Sequence, residues 1–181
     1  MLKLKIPLSQ KDISKLKIGD RVLLNGTVFT ARDKAHEFLL RNNFKKIKNS
    51  VIYHCGPVVK GAKIIAAGPT TSIRLNPFTP GLIKKYGIKA IIGKGGMDDS
   101  VRKALKGKSV YFAAIGGAAV LYAELMKIKN VYKKELGMTE AMWELEVKDF
   151  PLIVAMDSKG NSLYDKVYRE SKVIFQKLIK N

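Results

Sequence analysis

Short apolar segments that end in glycine- or proline-rich loops constrain this chain more than any other feature of its sequence. Four such loops also carry hydroxyl or basic side chains, and they span residues 26–32, 56–60, 68–74 and 93–96. Glycine lets a ligand approach the backbone closely and leaves amide groups free to donate hydrogen bonds. The alternation of apolar segments with helical patterns predicts a mixed α/β fold with a site at the strand ends.

Three local signals give definite expectations about the elements themselves. The Asn25-Gly26 pair predicts a turn or hairpin that breaks the strand over residues 20–28. Thr30 is expected to cap a helix that begins there. Pro151 is expected to join two separate strands, over residues 143–147 and 152–156, and a closing helix is expected over residues 165–179.

Composition narrows the class of protein. The chain has 181 residues, 34 Lys and Arg against 15 Asp and Glu, and a formal net charge of +19. We expect one domain over residues 1–181. The lysines are dispersed and accompany no nucleic-acid-binding motif, so the charge suits a nucleic acid, an acidic protein partner or an anionic substrate equally.

Cysteine content and apolar runs add two exclusions. Cys55 is the only cysteine, which excludes a disulfide scaffold and an iron–sulfur cluster held by this chain's own thiols. The unpaired thiol makes a cytoplasmic location the expectation. No run of about 18 apolar residues is present, so no membrane span is expected.

The loop over residues 68–74 is the most informative candidate. It places three hydroxyls, Thr70, Thr71 and Ser72, after a rigid Gly-Pro turn, with Arg74 close behind. A guanidinium offers a planar fork that binds a carboxylate through two hydrogen bonds. An ordinary capped turn with a solvated arginine explains the same pattern, and spacing alone does not choose among the three hydroxyls.

Three other segments are candidates of the same kind. Arg32 and His36 lie four residues apart, so a helix there would project both from one face. Lys94 stands among three glycines, where an ammonium can contact an anion, although the phosphate-binding patterns GxxxxGK[ST] and GxGxxG are absent. His54 and Cys55 are adjacent, and a buried structural role is expected for at least one of them. The three cations make an incomplete site, because no loop supplies a matching carboxylate base.

Six motifs in one order carry a family resemblance that runs from the first strand to near the C-terminus. They are GTVFTARDKAH, YHCGP, AAGPTTSIRLNPF, IIGKGGM, YFAAIGGAA and the segment over residues 143–164. Together they resemble the beta subunit of class I fumarate hydratase and of L(+)-tartrate dehydratase, which corresponds to the C-terminal domain of single-chain class I fumarases.

The resemblance implies a three-layer, swivelling β/β/α domain with a mixed sheet. It implies a partner alpha subunit whose cysteines hold a [4Fe–4S] cluster, with one iron acting as a Lewis acid on the substrate. The implied reaction is the reversible hydration of fumarate to (S)-malate, and the implied assembly is a heterotetramer, with a homodimer as the form of the isolated chain.

The resemblance also assigns residues. Arg32, Arg74 and Lys94 match positions that bind the two substrate carboxylates. Thr70 matches both a substrate contact and the family's proposed catalytic base, and His36 matches a histidine assigned as an acid or base. Tartrate dehydration remains an alternative, since the same contacts serve both substrates, and a basic nucleic-acid-binding module is the alternative from another class.

Overall fold

This computed structural model describes residues 1–179. That part of the chain contains nine strands and six α-helices. The strands are β1 (Leu2–Lys5), β2 (Arg21–Thr30), β3 (Val51–Tyr53), β4 (Val58–Lys60), β5 (Lys63–Ala66), β6 (Ala90–Gly93), β7 (Val110–Ala113), β8 (Met126–Tyr132) and β9 (Met142–Met156). The helices are α1 (Gln10–Lys15), α2 (Asp33–Arg41), α3 (Thr79–Tyr86), α4 (Asp99–Leu105), α5 (Ala119–Glu124) and α6 (Leu163–Leu178). Short 3-10 turns lie at Lys45–Ile47, Ile73–Leu75 and Lys134–Leu136.

The main sheet is mixed and closes on itself. Seven strands pair in the order β1-β2-β3-β6-β7-β9-β8, and β2 also pairs with β9. This extra pairing joins β2, β3, β6, β7 and β9 into a five-stranded, barrel-like ring. The pairs among β1, β2, β3, β6 and β7 are parallel, and every pair that involves β9 is antiparallel. The predictions of a mixed α/β fold and a mixed sheet are confirmed.

Two apolar clusters lie on the two faces of this sheet. Successive residues of a strand point to opposite faces, and Val51 and Tyr53 accordingly belong to one cluster while Ile52 belongs to the other. The first cluster also takes in residues of α1, β4, β5 and α5, and the second takes in residues of α2, α3 and α4. Helices therefore pack against both faces of the sheet.

The strand over residues 20–28 is not broken at Asn25 and Gly26, so the turn prediction is wrong. β2 continues through both residues and carries a β-bulge there, with Gly26 at φ +116°. A Cβ on Gly26 would lie 3.0 Å from Ile6 Cβ. The glycine therefore serves a bulge and a close strand approach, which are uses that a hairpin signal does not distinguish.

The two strands predicted around Pro151 are one. β9 runs for 15 residues without interruption, and Pro151 pairs with Leu23 in the antiparallel ladder with β2. β9 borders β2 on one side and both β8 and β7 on the other. Its length lets one strand close the ring.

Thr30 is not a helix cap, which corrects a third expectation. It is the last residue of β2 and is buried, and its hydroxyl accepts a hydrogen bond from the Trp143 amide at 3.0 Å. Arg32 is the N-terminal cap residue of α2, and its side chain makes no capping hydrogen bond. The helix therefore starts two residues later than the threonine suggested.

The apolar pattern missed three elements, β4, α3 and β8. β4 lies inside the predicted loop over residues 56–60, and α3 begins with a proline in its first turn and ends at Gly87 in a left-handed conformation, as helix ends commonly do. The predicted closing helix is present as α6.

No helix within residues 1–179 has the length and apolar character needed to cross a membrane.

Candidate functional site

The candidate site lies where four neighbouring parallel strands end. β2, β3, β6 and β7 are adjacent in the sheet and parallel, so their carboxyl ends share one edge. Arg32 follows β2, His54 follows β3 and Lys94 follows β6. Crevices at this edge of α/β sheets are common ligand sites. The sheet order therefore gathers residues that are up to 62 positions apart, from 32 to 94, in the sequence.

The loop over residues 68–74 crosses this edge and is fixed by backbone hydrogen bonds. The Thr70 amide donates to the His54 carbonyl at 2.7 Å, and the Lys94 amide donates to the Thr70 carbonyl at 3.2 Å. The Ser72 amide in turn donates to the Lys94 carbonyl at 3.0 Å, and Thr71 forms a parallel bridge with Lys94. Thr70 and Lys94 are therefore neighbours held by main-chain geometry.

Arg74 contacts a hydroxyl and a carboxylate at once. Its Nη2 donates to Thr70 Oγ1 at 2.8 Å and lies 3.1 Å from Asp33 Oδ2. The Arg74 and Asp33 side chains are 40% and 39% exposed, so both face solvent, where a ligand can reach them. A cationic donor on the threonine oxygen favours the deprotonated form of that hydroxyl.

Arg32 and Lys94 are the other two cations of the site. Arg32 Nε lies 3.4 Å from Glu140 Oε1. Gly56 makes room for this arginine, since a Cβ there would lie 2.7 Å from Arg32 Cδ. Within residues 1–179, the ammonium of Lys94 pairs with no carboxylate, and its side chain is half-buried.

His36 lies behind Arg32 and not beside it on an open helix face. Its ring is only 1% exposed, and Nδ1 lies 2.7 Å from the Arg32 carbonyl oxygen. Because a carbonyl only accepts, Nδ1 carries the proton. Burial lowers the pKa of His36 to about 4, so the ring is neutral at physiological pH.

A buried polar network supports the two loops from beneath. His54 Nδ1 lies 2.9 Å from Ser72 Oγ, Tyr111 Oη lies 3.0 Å from Ser72 Oγ, and the Tyr111 hydroxyl donates to the Gly95 carbonyl at 2.9 Å. Burial holds the pKa of His54 well below its usual value, and its Nε2 is buried with no hydrogen-bond partner among residues 1–179. Gly93 lies against this network, because a Cβ on it would collide with Ser72 Oγ. The network ties the Thr70 loop to the Lys94 loop.

Cys55 is fully buried, and burial raises the pKa of its thiol to about 12. Such a thiol stays protonated at neutral pH and is a poor nucleophile. Within the part of the chain that the structure describes, no three His, Cys, Asp or Glu side chains form a group able to hold a metal ion. These residues do not fit an iron–sulfur cluster.

All five predicted site residues fall in one connected region. Thr70 contacts both Arg74 and Lys94, and Arg32 and His36 form a second group. The Arg74–Asp33 ion pair and the His36–His54 ring contact, with centroids 5.1 Å apart, join the two groups.

Sequence reasoning did not select Asp33 and Glu140, the carboxylates that pair with the arginines, nor Ser72 and Tyr111 of the buried network. Asp33 gave a signal as the acid next to Arg32. Glu140 and Tyr111 gave no signal in the sequence, since only long-range strand pairing brings them next to the site.

The fold and the site together define a mixed α/β domain that presents arginine, lysine and threonine side chains at the ends of parallel strands. The sequence matches the profile of the family described as Fumarase C-terminus over residues 1–167, and the chain belongs to this family.

Named relatives agree with the profile. A protein of Methanocaldococcus jannaschii provisionally named L(+)-tartrate dehydratase subunit beta is 47% identical, over 94% of this chain and 93% of that one. The L(+)-tartrate dehydratase subunit beta of Escherichia coli is 36% identical over 87% of this chain and 83% of its own length. A Geobacillus stearothermophilus protein provisionally named fumarate hydratase class I is 42% identical over 94% of this chain. The chain spans only 35% of that protein's length. The resemblance to the fumarate hydratase and tartrate dehydratase family is thereby confirmed.

Proposed function

We propose that this chain is the beta subunit of a hydro-lyase that adds water to fumarate and removes it from (S)-malate, and that it acts only with an alpha subunit. The observation that carries the proposal is the Arg74 contact with Thr70 Oγ1 at 2.8 Å beside Asp33. It joins a carboxylate-binding fork to an oxygen able to move a proton, as this reaction requires.

Binding of a dianion follows from the three cations. Asp33 and Glu140 occupy positions beside Arg74 and Arg32 that a substrate carboxylate would take. Arg74 and Arg32 bind the carboxylates through their forks, and Lys94, which has no carboxylate partner within residues 1–179, adds a third positive charge. A net charge of +19 also attracts dianions from solution.

Proton transfer is assigned to Thr70. In the dehydration direction Thr70 Oγ1 takes the proton from the substrate carbon, and in hydration it returns it. Arg74 stabilises the oxyanion form that this role needs. His36 is the second candidate, but its burial and its Nδ1 contact with Arg32 favour a supporting role.

The iron–sulfur cluster that the proposed reaction needs is assigned to the alpha subunit. Relatives of this chain carry the name subunit beta, which supports an alpha subunit here. That subunit holds the [4Fe–4S] cluster, because the described residues of this chain do not fit one. Residues 1–181 then act as one swivelling domain of three layers in a cytoplasmic heterotetramer.

Dehydration of L(+)-tartrate is the second candidate function. The names of the M. jannaschii and E. coli relatives favour it, and the same cations would bind tartrate. Tartrate carries one more hydroxyl than malate, and the side chains that would meet it are not identified among the residues of this site.

The test is Arg74→Lys in the assembled enzyme, with Arg41→Lys, an exposed arginine at the end of α2, as the matched control. Lysine keeps the charge but loses the fork and the Thr70 contact. We expect kcat/KM to fall about 10- to 100-fold, the value of one or two charge-assisted hydrogen bonds. Equal activity of the two variants would refute the role of Arg74.

A further inference from the structure

The buried side chains beneath the site form an unbroken line of hydrogen-bond contacts. His54 Nδ1 lies 2.9 Å from Ser72 Oγ, Ser72 Oγ lies 3.0 Å from Tyr111 Oη, and Tyr111 Oη lies 2.9 Å from the Gly95 carbonyl oxygen. All three side chains are 0% exposed. Each contact therefore has to be made with a hydrogen that one of these groups itself carries.

The carbonyl at the end of this line fixes the direction of every bond in it. A carbonyl only accepts, so Tyr111 donates its single hydroxyl hydrogen to Gly95. Tyr111 Oη then accepts from Ser72, which uses the one hydroxyl hydrogen of the serine. The remaining contact requires His54 to donate from Nδ1. Since burial holds the pKa of His54 well below its usual value, the ring is neutral and Nε2 carries no proton.

The opposite direction satisfies fewer groups. If Tyr111 donated to Ser72 and Ser72 donated to His54, Tyr111 Oη and the Gly95 oxygen would lie 2.9 Å apart with no hydrogen between them. The His54 proton would then lie on Nε2, which is buried with no hydrogen-bond partner among residues 1–179. A buried N–H group without an acceptor is rarer in proteins than a buried acceptor without a donor. The unpartnered Nε2 therefore agrees with a proton on Nδ1.

The Gly95 end of the line holds the backbone directly after Lys94. Gly95 has a φ of +71°, a left-handed conformation that turns the main chain at this point. The Lys94 amide donates to the Thr70 carbonyl, and the Lys94 carbonyl accepts from the Ser72 amide. With the Gly95 carbonyl bonded to Tyr111, the main chain is held both at Lys94 and immediately beyond it.

We propose that His54, Ser72 and Tyr111 form one directed hydrogen-bond network that ends on the Gly95 carbonyl and positions Lys94 to bind a substrate carboxylate. These three are positioning residues, because they are fully buried and act through the backbone of Lys94. The direction of the network follows from the buried contacts alone, whereas the role given to Lys94 rests on the proposed function.

NMR of the imidazole nitrogens in the isotope-labelled full chain tests the direction of the network. His36 and His54 are the two histidines of the sequence, so a spectrum of His36→Gln assigns the signals of both. Two-bond correlations between ring protons and ring nitrogens show which nitrogen is protonated. We expect His54 at neutral pH to carry its proton on Nδ1. A proton on Nε2, or on both nitrogens, would overturn the directed network.

Hydrogen exchange of residues 93–96 tests the positioning without any turnover. Tyr111→Phe removes one hydroxyl from the network. Tyr86→Phe is the matched control, because Tyr86 is also buried and its hydroxyl lies 2.7 Å from the Leu39 carbonyl of α2. We expect the Lys94 amide to exchange about tenfold faster in Tyr111→Phe than in wild type or the control. Equal exchange in the two variants would contradict a positioning role.

A double-mutant cycle in the assembled enzyme tests the role of Lys94. We expect Tyr111→Phe to raise KM about tenfold, the value of one hydrogen bond, with little change in kcat. In a Lys94→Ala background the same substitution should raise KM no further, because the group that it positions is gone. An equal rise in both backgrounds would show a merely structural role and overturn the proposal.

The cycle is measured with fumarate and with L(+)-tartrate, which separates this inference from the proposed function. Turnover of neither substrate would refute the proposed function and with it the role of Lys94. The NMR and exchange measurements need no substrate, so they decide the direction of the network and its hold on the Lys94 backbone in either case.

Discussion

At the scale of single residues, surroundings separate three neighbouring hydroxyls that look alike in the sequence. Ser72 is fully buried and serves the network beneath the loops, and Thr71 is exposed. Thr70 lies between these extremes and is the one whose oxygen accepts from Arg74. The choice of Thr70 thus has a physical basis in its cationic neighbour.

Thr70→Ala tests this choice, with Thr71→Ala as the matched control one residue away. Alanine removes the oxygen that moves the proton, while the backbone bonds of Thr70 to His54 and Lys94 stay available. We expect turnover by the assembled enzyme to fall at least about 100-fold, the value of one acid–base group, with little change in thermal stability. Thr71→Ala should stay near wild type. Near-normal turnover by Thr70→Ala would remove it as the proton-transferring group.

The cations of the site could be anticipated from residue type, because arginine and lysine in glycine-rich loops already point to anions. The carboxylates that pair with these cations could not be anticipated in this way. Arg74 pairs with Asp33 across 41 positions, and Arg32 pairs with Glu140 across 108. Such pairs depend on the sheet order, which local patterns do not encode.

At the scale of elements, the end of β6 links the strand to the site. Gly93 is the last residue of β6, and a Cβ on it would collide with Ser72 Oγ. This strand end therefore limits how closely the loop over residues 68–74 can pack on β6 and on the network of His54, Ser72 and Tyr111. The missing side chain at Gly93 is what allows the loops to lie so close.

Gly93→Ala should displace the Ser72 hydroxyl and break its bonds to His54 and Tyr111, at a cost of about 1–3 kcal/mol for the buried groups left unpaired. Gly96→Ala is the control in the same loop, because its Cβ would meet only Tyr164 at 3.5 Å. Chemical denaturation measures the free energy of unfolding of both. Equal stability of the two variants would contradict the role given to Gly93.

Element prediction succeeded where the pattern was strong and local. The alternation of apolar segments with helical patterns predicted the mixed α/β class correctly, and the closing helix is present as α6. Element prediction failed at Gly26 and Pro151, where tertiary pairing overrides the local preference for a break. β8 is half-exposed and rich in lysine, so its apolar signal is weak, and it forms because β9 lies beside it.

At the scale of the whole molecule, two fully buried histidines make folding sensitive to acid. The pKa of His36 is about 4 in the folded protein against an ordinary 6.5, and burial lowers that of His54 as well. The unfolded chain therefore binds more protons between about pH 6.5 and pH 4, and stability falls as the pH falls through that window.

We expect the free energy of unfolding to be level above about pH 7 and to drop by about 3 kcal/mol for His36 alone toward pH 4. Urea denaturation at a series of pH values measures it, and His36→Gln should show a shallower slope. Asp12 and Asp98, whose pKa values are lowered from 3.8, act below this window. A stability that does not change between about pH 7 and pH 5 would contradict the buried, neutral state of His36.

Under the proposed function, the molecule as a whole presents half of a reaction site. The cations Arg32, Arg74 and Lys94 and the hydroxyl of Thr70 lie at one sheet edge, and within residues 1–179 no metal-binding group accompanies them. We propose that a cluster-bearing alpha subunit completes this edge.

The most direct measurement is anaerobic capture of the alpha subunit with this chain as bait, followed by iron analysis and assays of fumarate hydration and L(+)-tartrate dehydration on the complex. We expect an iron-containing partner and fumarate turnover that Thr70→Ala abolishes. Preference for tartrate would keep the site and change only the substrate. Recovery of nucleic acid alone, with neither iron nor turnover of either substrate, would contradict the account.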